Sequence, residues 1–172
     1  MTKQELEVCI RTYGRDIYSF CKQLAGSKQE ADELYQDTLL TAVERLEKLD
    51  SSGNPKSYLI SISIRLWQNR KRKFEWRRRI ADIRPMMDEQ SDNLKEGIEV
   101  SPEEKVLGKE MSAAVRQAVS RLPERFRIVT LLYYMEELST AQIAATLKLP
   151  KGTVLSRLYQ ARRLLRQELE DF

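Results

Sequence analysis

The sequence predicts an all-α protein of two small helical domains joined by a flexible linker, the C-terminal one a helix-turn-helix. Three observations carry that expectation. The 172 residues include only 6 glycines and 5 prolines, too few for a loop-rich or all-β design. Apolar residues recur at steps of three and four through much of the chain. From Arg84 to about Glu104 that rhythm fails, and two prolines, few apolar residues and net negative charge give the composition of a tether. The expected domains are therefore residues 1–84 and 105–172, with an acidic linker over 85–104.

Leu6, Ile10, Tyr13, Ile17, Phe20 and Leu24 predict an amphipathic helix over 5–25, ended by Gly26. Ser27-Lys28-Gln29-Glu30 spells a capping box, the serine oxygen accepting from the amide three residues on and the glutamate reaching back. The helix it opens is expected to run to about Leu49. Ala31, Leu34, Thr38, Ala42 and Leu46 would face inward, with Asp32, Gln36, Asp37 and Leu40 on the other face. Asp50-Ser-Ser-Gly-Asn-Pro55 is a loop.

Tyr58–Arg65 alternates polar and apolar residues and is rich in isoleucine, so taken alone it reads equally well as a strand. A helix is expected because no partner strand exists elsewhere and no breaker intervenes before Arg79. Ser101-Pro-Glu-Glu104 opens a further helix through Val106, Met111, Val115 and Val119. Leu122-Pro123 interrupts it, and Arg125–Met135 resumes.

Charge is segregated along the chain. Residues 65–81 hold eight Lys/Arg against one acid, residues 82–104 two against eight, and residues 105–172 twelve against seven, so the net +4 is a poor guide. Two basic blocks divided by an acidic connector suggest two tethered surfaces for a polyanion.

What is missing narrows the chemistry. There is no histidine, which removes the commonest general base and zinc ligand. Cys9 and Cys21 are too few for a tetrathiolate site. On one helix they would stand about 18 Å apart, beyond disulfide reach, and they read as core residues. No GxxxxGK[ST] or GxGxxG loop occurs. The expectation is a chain that is not an enzyme and has no metal, cofactor or membrane-inserted segment. The start, MTKQELEVCI, lacks a signal peptide's apolar stretch, so a cytoplasmic location is expected.

Ser139-Thr-Ala-Gln142 is another capping box, with Ile143, Ala144 and Leu147 on the inner face of a short helix. Small Ala144 and Ala145 would let two helices cross closely. Leu149-Pro150-Lys151-Gly152 forms a turn, and from about Thr153 a second helix buries Val154, Leu158, Ala161 and Leu165. This is a helix-turn-helix pattern, whose second helix suits the major groove. Its outer side carries Lys151, Thr153, Ser156, Arg157, Gln160 and Arg163, a mixture able to read base edges and neutralise phosphates. A plain αα-hairpin with a solvated basic face is the competing reading.

Residues 65–79, RLWQNRKRKFEWRRR, interleave Trp67, Phe74 and Trp76 with eight cations. Duplex DNA calls for the cations alone, whereas aromatics among them suit unstacked bases. Alternatively Trp67 belongs to the core and the arginines are merely solvated.

These blocks resemble the bacterial extracytoplasmic-function (ECF) sigma factors of the sigma-70 family over nearly the whole chain. Ala31–Ala42 is similar to their polymerase-gripping helix and Tyr58–Arg72 to their promoter-melting helix. Leu122–Arg127 followed by Ser139–Arg163, with Pro150-Lys-Gly-Thr-Val154, is similar to their C-terminal helix-turn-helix. The resemblance implies a sigma factor that binds core RNA polymerase through the beta-prime clamp and beta flap and directs promoter-specific initiation. Asp32, Gln36, Asp37 and Leu40 would contact the clamp.

For the −10 element and melting, the resemblance implies Asn54, Lys56, Ser57, Tyr58, Arg65, Trp67, Asn69, Arg70, Arg72 and Lys73, with the loop 50–57 holding a flipped base. For the −35 element it implies Lys151, Gly152, Thr153, Leu155, Ser156, Arg157, Tyr159, Gln160 and Arg163. Promoter DNA and an anti-sigma protein are the further partners implied. Three positions depart from the family pattern: Leu155 stands where Lys or Arg is frequent, Arg65 where Asn is, and Val43 where an aromatic is. The rival function is a free-standing helix-turn-helix repressor with a small-ligand N-terminal domain, which predicts a symmetric dimer on a palindrome.

Overall fold

Helix-forming periodicity and capping chemistry decide the local structure of the described residues. A computed structural model describes residues 1–49, 53–81 and 113–170. Among these all regular structure is helical and no strand occurs. The chain divides into two units, Met1–Ser91 and Asp92–Phe172. The expected linker 85–104, the domain edges at 84 and 105, and the Ser101–Glu104 cap with Val106 and Met111 lie outside the described residues.

In the N-terminal unit, α1 (Lys3–Leu24) opens two residues earlier than its apolar rhythm implied. Thr2 Oγ1 accepts from the Glu5 amide at 3.1 Å while Glu5 accepts from the Thr2 amide at 2.8 Å. Helix α2 (Lys28–Glu44) has Ser27 as its cap, but the expected box is not reciprocal. The Glu30 carboxylate instead accepts from the Gly26 amide at 3.2 Å, one residue further back. Continuous α-helix stops at Glu44 rather than Leu49, and a short 3₁₀ turn, Leu46–Lys48, tucks Leu49 into the core while Leu46 is only half-buried.

Helix α3 (Pro55–Ala81) contains the ambiguous alternating segment. It is helical because each side of that segment meets a partner: α1 and α2 both pack against α3, burying Leu59, Ile60, Ile62, Ser63, Ile64 and Trp67. Its serines satisfy themselves locally. Ser61 donates to the Tyr58 carbonyl at 2.6 Å and Ser63 to that of Ile60 at 2.7 Å, so burying Ser63 leaves no orphaned hydroxyl. Phe20, Ile17 and Leu24 from α1 and Leu34 from α2 complete the core. Cys9 and Cys21 both lie on α1, buried and unbridged.

The C-terminal unit comprises α4 (Ala113–Arg121), α5 (Glu124–Thr130), α6 (Thr140–Leu147) and α7 (Lys151–Glu170). Pro123 separates α4 from α5 and its carbonyl accepts from the Phe126 and Arg127 amides, each at 2.9 Å. After Thr130 the expected helix to Met135 continues as a wider π turn over Leu131–Met135, the Glu136 amide bonding the Leu131 carbonyl at 3.1 Å. Helix α7 packs against α4, α5 and α6, its buried stripe of Val154, Leu158 and Ala161 meeting a core of Ile128, Val129, Leu131, Leu132 and Ile143. Leu165 is half-buried, as is Ala144, whereas Ala145 is exposed and does not line the helix crossing.

Candidate nucleic-acid and partner interfaces

The turn between α6 and α7 sets where the outward face of α7 begins. Ser139 and Gln142 form the expected reciprocal box, at 3.1 and 2.9 Å. Lys148 ends α6 in the left-handed region at φ 55°, allowing the Leu149 amide to reach the Ala144 carbonyl at 3.0 Å. The Pro150 carbonyl then accepts from the Thr153 and Val154 amides, so α7 starts at Lys151 rather than Thr153. Lys151 and Gly152 thereby join the first turn instead of the loop.

The α7 surface opposite the buried stripe presents Lys151, Gly152, Leu155, Ser156, Tyr159 and Arg163, all exposed, flanked by half-buried Thr153, Arg157 and Gln160. Residues 151–167 carry five cations and no acid, which makes this face strongly electropositive. Arg162 lies to one side: its Nε donates to the Tyr134 hydroxyl at 2.8 Å, and its guanidinium sits 5.4 Å from the Tyr133 ring centre. That clamp and the Arg121–Glu168 pair at 2.8 Å fasten α7 to the preceding helices.

On α3, Arg65, Asn69, Arg72, Lys73 and Trp76 follow one another at helical spacing and are all exposed, so they form one stripe. Trp76 is 64% exposed, while Trp67 is 7% exposed and belongs to the core. The assignment of Trp67 to the strand-facing set is thereby corrected. Trp76 is the residue the sequence reading left out of that set; its place three and four residues after Lys73 and Arg72 was the available signal. Phe74 is also exposed but stacks under the Arg78 guanidinium at 5.3 Å on another face.

The other expected residues at this end have structural employment. Asn54 Oδ1 accepts from the Lys56 and Ser57 amides at 3.1 and 3.4 Å, capping α3. Lys56 pairs with Asp16 at 3.3 Å, and Ser57 and Tyr58 are half-buried. Residues 50–52 of the expected base-holding loop lie outside the described residues. Arg70 pairs with Asp37, drawing it away from the outward stripe.

Of the four residues expected on the polymerase-facing side of α2, Gln36 and Leu40 are exposed, Leu40 at 61%. Exposed Val43, three residues further on, extends the apolar surface of Leu40. Asp32 and Asp37 are half-buried, Asp32 accepting from the Tyr18 hydroxyl and Asp37 from Arg70. Among the described residues no group of acids or thiols is arranged to hold a metal, and no helix is long and apolar enough to cross a membrane.

Residues 9–78 match the family described as sigma-70 region 2, and residues 112–165 match sigma-70, region 4. The chain belongs to the sigma-70 family, in its ECF group. Among its relatives is the ECF RNA polymerase sigma factor SigW of Bacillus subtilis, 29% identical, covering 92% of this chain and 86% of the relative. The RNA polymerase sigma-H factor of Pseudomonas aeruginosa is 27% identical over 98% of this chain and 88% of the relative. A solved structure of the sigma factor RpoE in complex with the anti-sigma factor NepR from Bartonella quintana shares the fold. That match has a TM-score of 0.77 at 19% identity, covering 97% of this chain and 98% of the other. This ECF sigma factor directs transcription initiation at promoters and is not a free-standing repressor: region 2 occupies the segment a ligand domain would need.

Proposed function

We propose that the two units of this ECF sigma factor divide promoter recognition between them. Residues 1–84 dock on core RNA polymerase and engage the −10 element; residues 105–172 read the −35 element. The observation that carries this is the pair of outward stripes. Arg65, Asn69, Arg72, Lys73 and Trp76 on α3 fall within the region 2 match, and Gly152, Leu155, Ser156, Tyr159 and Arg163 on α7 within the region 4 match. Cations on both neutralise phosphates, and the exposed indole of Trp76 suits an unstacked base.

The polymerase face is Gln36 and Leu40 with the carboxylates of Asp32 and Asp37 at its edge, docking on the beta-prime clamp, while the C-terminal unit meets the beta flap. The chain carries no nucleotide-cradling loop, so it opens DNA without hydrolysing ATP itself. Unstacking costs about 1.4 kcal/mol per base-pair step, offset by captured bases and the polymerase's own contacts. The protein acts in the cytoplasm, has no catalytic activity of its own, and is held inactive by an anti-sigma protein.

Co-purification with core polymerase at moderate salt tests the reading. A stable one-to-one complex, with promoter binding only in the complex, is expected. A chain that ignores core polymerase and binds mirrored half-sites as a dimer overturns it.

A further inference from the structure

Gly152, Leu155, Ser156 and Tyr159 stand at steps of three, one and three on α7 and so share one line of its outward face. Leu155 is 50% exposed and Tyr159 65%. Together they place an apolar and an aromatic side chain at the centre of a face whose rim is Lys151, Arg157, Arg163 and Arg166, with no acid before Glu168. Such a rim fits a polyanion, yet Leu155 can neither donate nor accept a hydrogen bond at its centre. On the edges of bases in the major groove the apolar group available to meet it is the C5-methyl of thymine.

Gly152 supplies an independent observation. A Cβ placed there meets nothing within 4 Å, so the fold itself does not require glycine at this helical position. Alanine is the better helix former, and the bare backbone instead leaves clearance towards whatever lies opposite the first turn. The line thus runs from an uncovered backbone through an aliphatic side chain to an aromatic one, and only Ser156 and the Tyr159 hydroxyl within it can hydrogen-bond.

We infer that Leu155 and Tyr159 read thymine C5-methyl groups in the upstream promoter element, with Gly152 letting the first turn of α7 approach closely enough for them to reach. The inference rests on the proposed −35 role of α7. It assigns to the position where the family often carries a cation a contact that depends on a methyl group rather than on a hydrogen bond or a phosphate.

The test uses the full chain assembled with core RNA polymerase. Duplexes are selected from a random pool, and each upstream thymine is then replaced by deoxyuridine, which removes the methyl and keeps the pairing edge. Binding about fourfold weaker per methyl read is expected at one or two positions. Holoenzyme carrying Leu155→Ala or Tyr159→Ala should bring that ratio to about one at its own position, with an unchanged thermal midpoint because both side chains are exposed. Gly152→Ala should raise the thermal midpoint while weakening upstream binding.

Equal binding of thymine and uracil at every upstream position, with an upstream preference intact, overturns the inference and leaves the −35 assignment standing. A protein partner covering the line in place of DNA would instead leave no upstream preference. Selection that yields no upstream element overturns both.

Discussion

Arg70 on α3 donates to the Asp37 carboxylate on α2, joining a residue expected at the melted strand to one expected at the polymerase. The pair spans two helices of one core, so each partner's charge is already partly answered within the chain. Changing either residue therefore alters the fold's electrostatics together with any contact it makes outside, and the two effects need separating.

Charge reversal separates them. Asp37→Arg should weaken association with core polymerase and lower stability by up to about 1 kcal/mol, since the Arg70 and Asp37 side chains are 31% and 49% exposed. The double exchange Asp37→Arg with Arg70→Asp should recover the stability but not the association. Denaturant midpoints and co-purification measure the two halves. Recovery of both would mean that Asp37 acts only by holding Arg70.

The two tryptophans of α3 should behave oppositely. Trp67→Ala removes a core ring and should cost about 3–5 kcal/mol of stability in the N-terminal unit. Trp76→Ala should change stability by less than about 0.5 kcal/mol. Its cost should appear in holoenzyme binding to a −10 single strand, about 1–3 kcal/mol if one base stacks on it. Fluorescence-monitored unfolding and strand titration distinguish these outcomes.

On α7, Arg157→Ala should weaken promoter binding across sequences and lower the salt slope by about one, the signature of a lost phosphate contact. Titrations at several salt concentrations give the slope directly. An unchanged slope would remove Arg157 from the phosphate set.

Stability should fall in alkali with a defined sign. Burial pushes the Cys21 thiol up to about 12 from its ordinary 9.0, with nearby Arg70 pulling weakly the other way. Between those values the unfolded chain releases a proton that the folded one retains. The stabilisation is complete below about pH 9 and is lost as pH rises towards 12, at up to about 1.4 kcal/mol per unit. Tyr35, also raised by burial and then by Cys21, acts in the same direction. Unfolding midpoints against pH for the wild type and Cys21→Ala should diverge over this range.

Much of the fold could be read along the chain because caps and periodicity act locally: Ser139 with Gln142, the break at Pro123, and the Val154, Leu158, Ala161 stripe all stand as the sequence implies. The Tyr58–Arg65 segment was ambiguous because its pattern reports burial on two sides, and what buries it is supplied by α1 and α2. The start of α7 is two residues earlier than the turn-like Leu149-Pro150-Lys151-Gly152 implies, because the Pro150 carbonyl takes the Thr153 and Val154 amides and so draws Lys151 and Gly152 into the first turn. At the interfaces, residue type indicated cationic helices, but which aromatic faces outward depended on packing. Trp67 follows the isoleucine-rich run and Trp76 stands among charged residues, a hint towards core and surface that became definite only with what covers each ring. Long-range pairs such as Arg70 with Asp37 leave no trace in spacing.

Permanganate reactivity of thymines around a selected start site tests the central claim most directly. The reagent marks unstacked bases, and the comparison is between the chain alone, core polymerase alone and the two together. Reactivity near −10 only when both are present is the predicted result. Opening by the isolated chain, or no opening by the pair, would contradict the account.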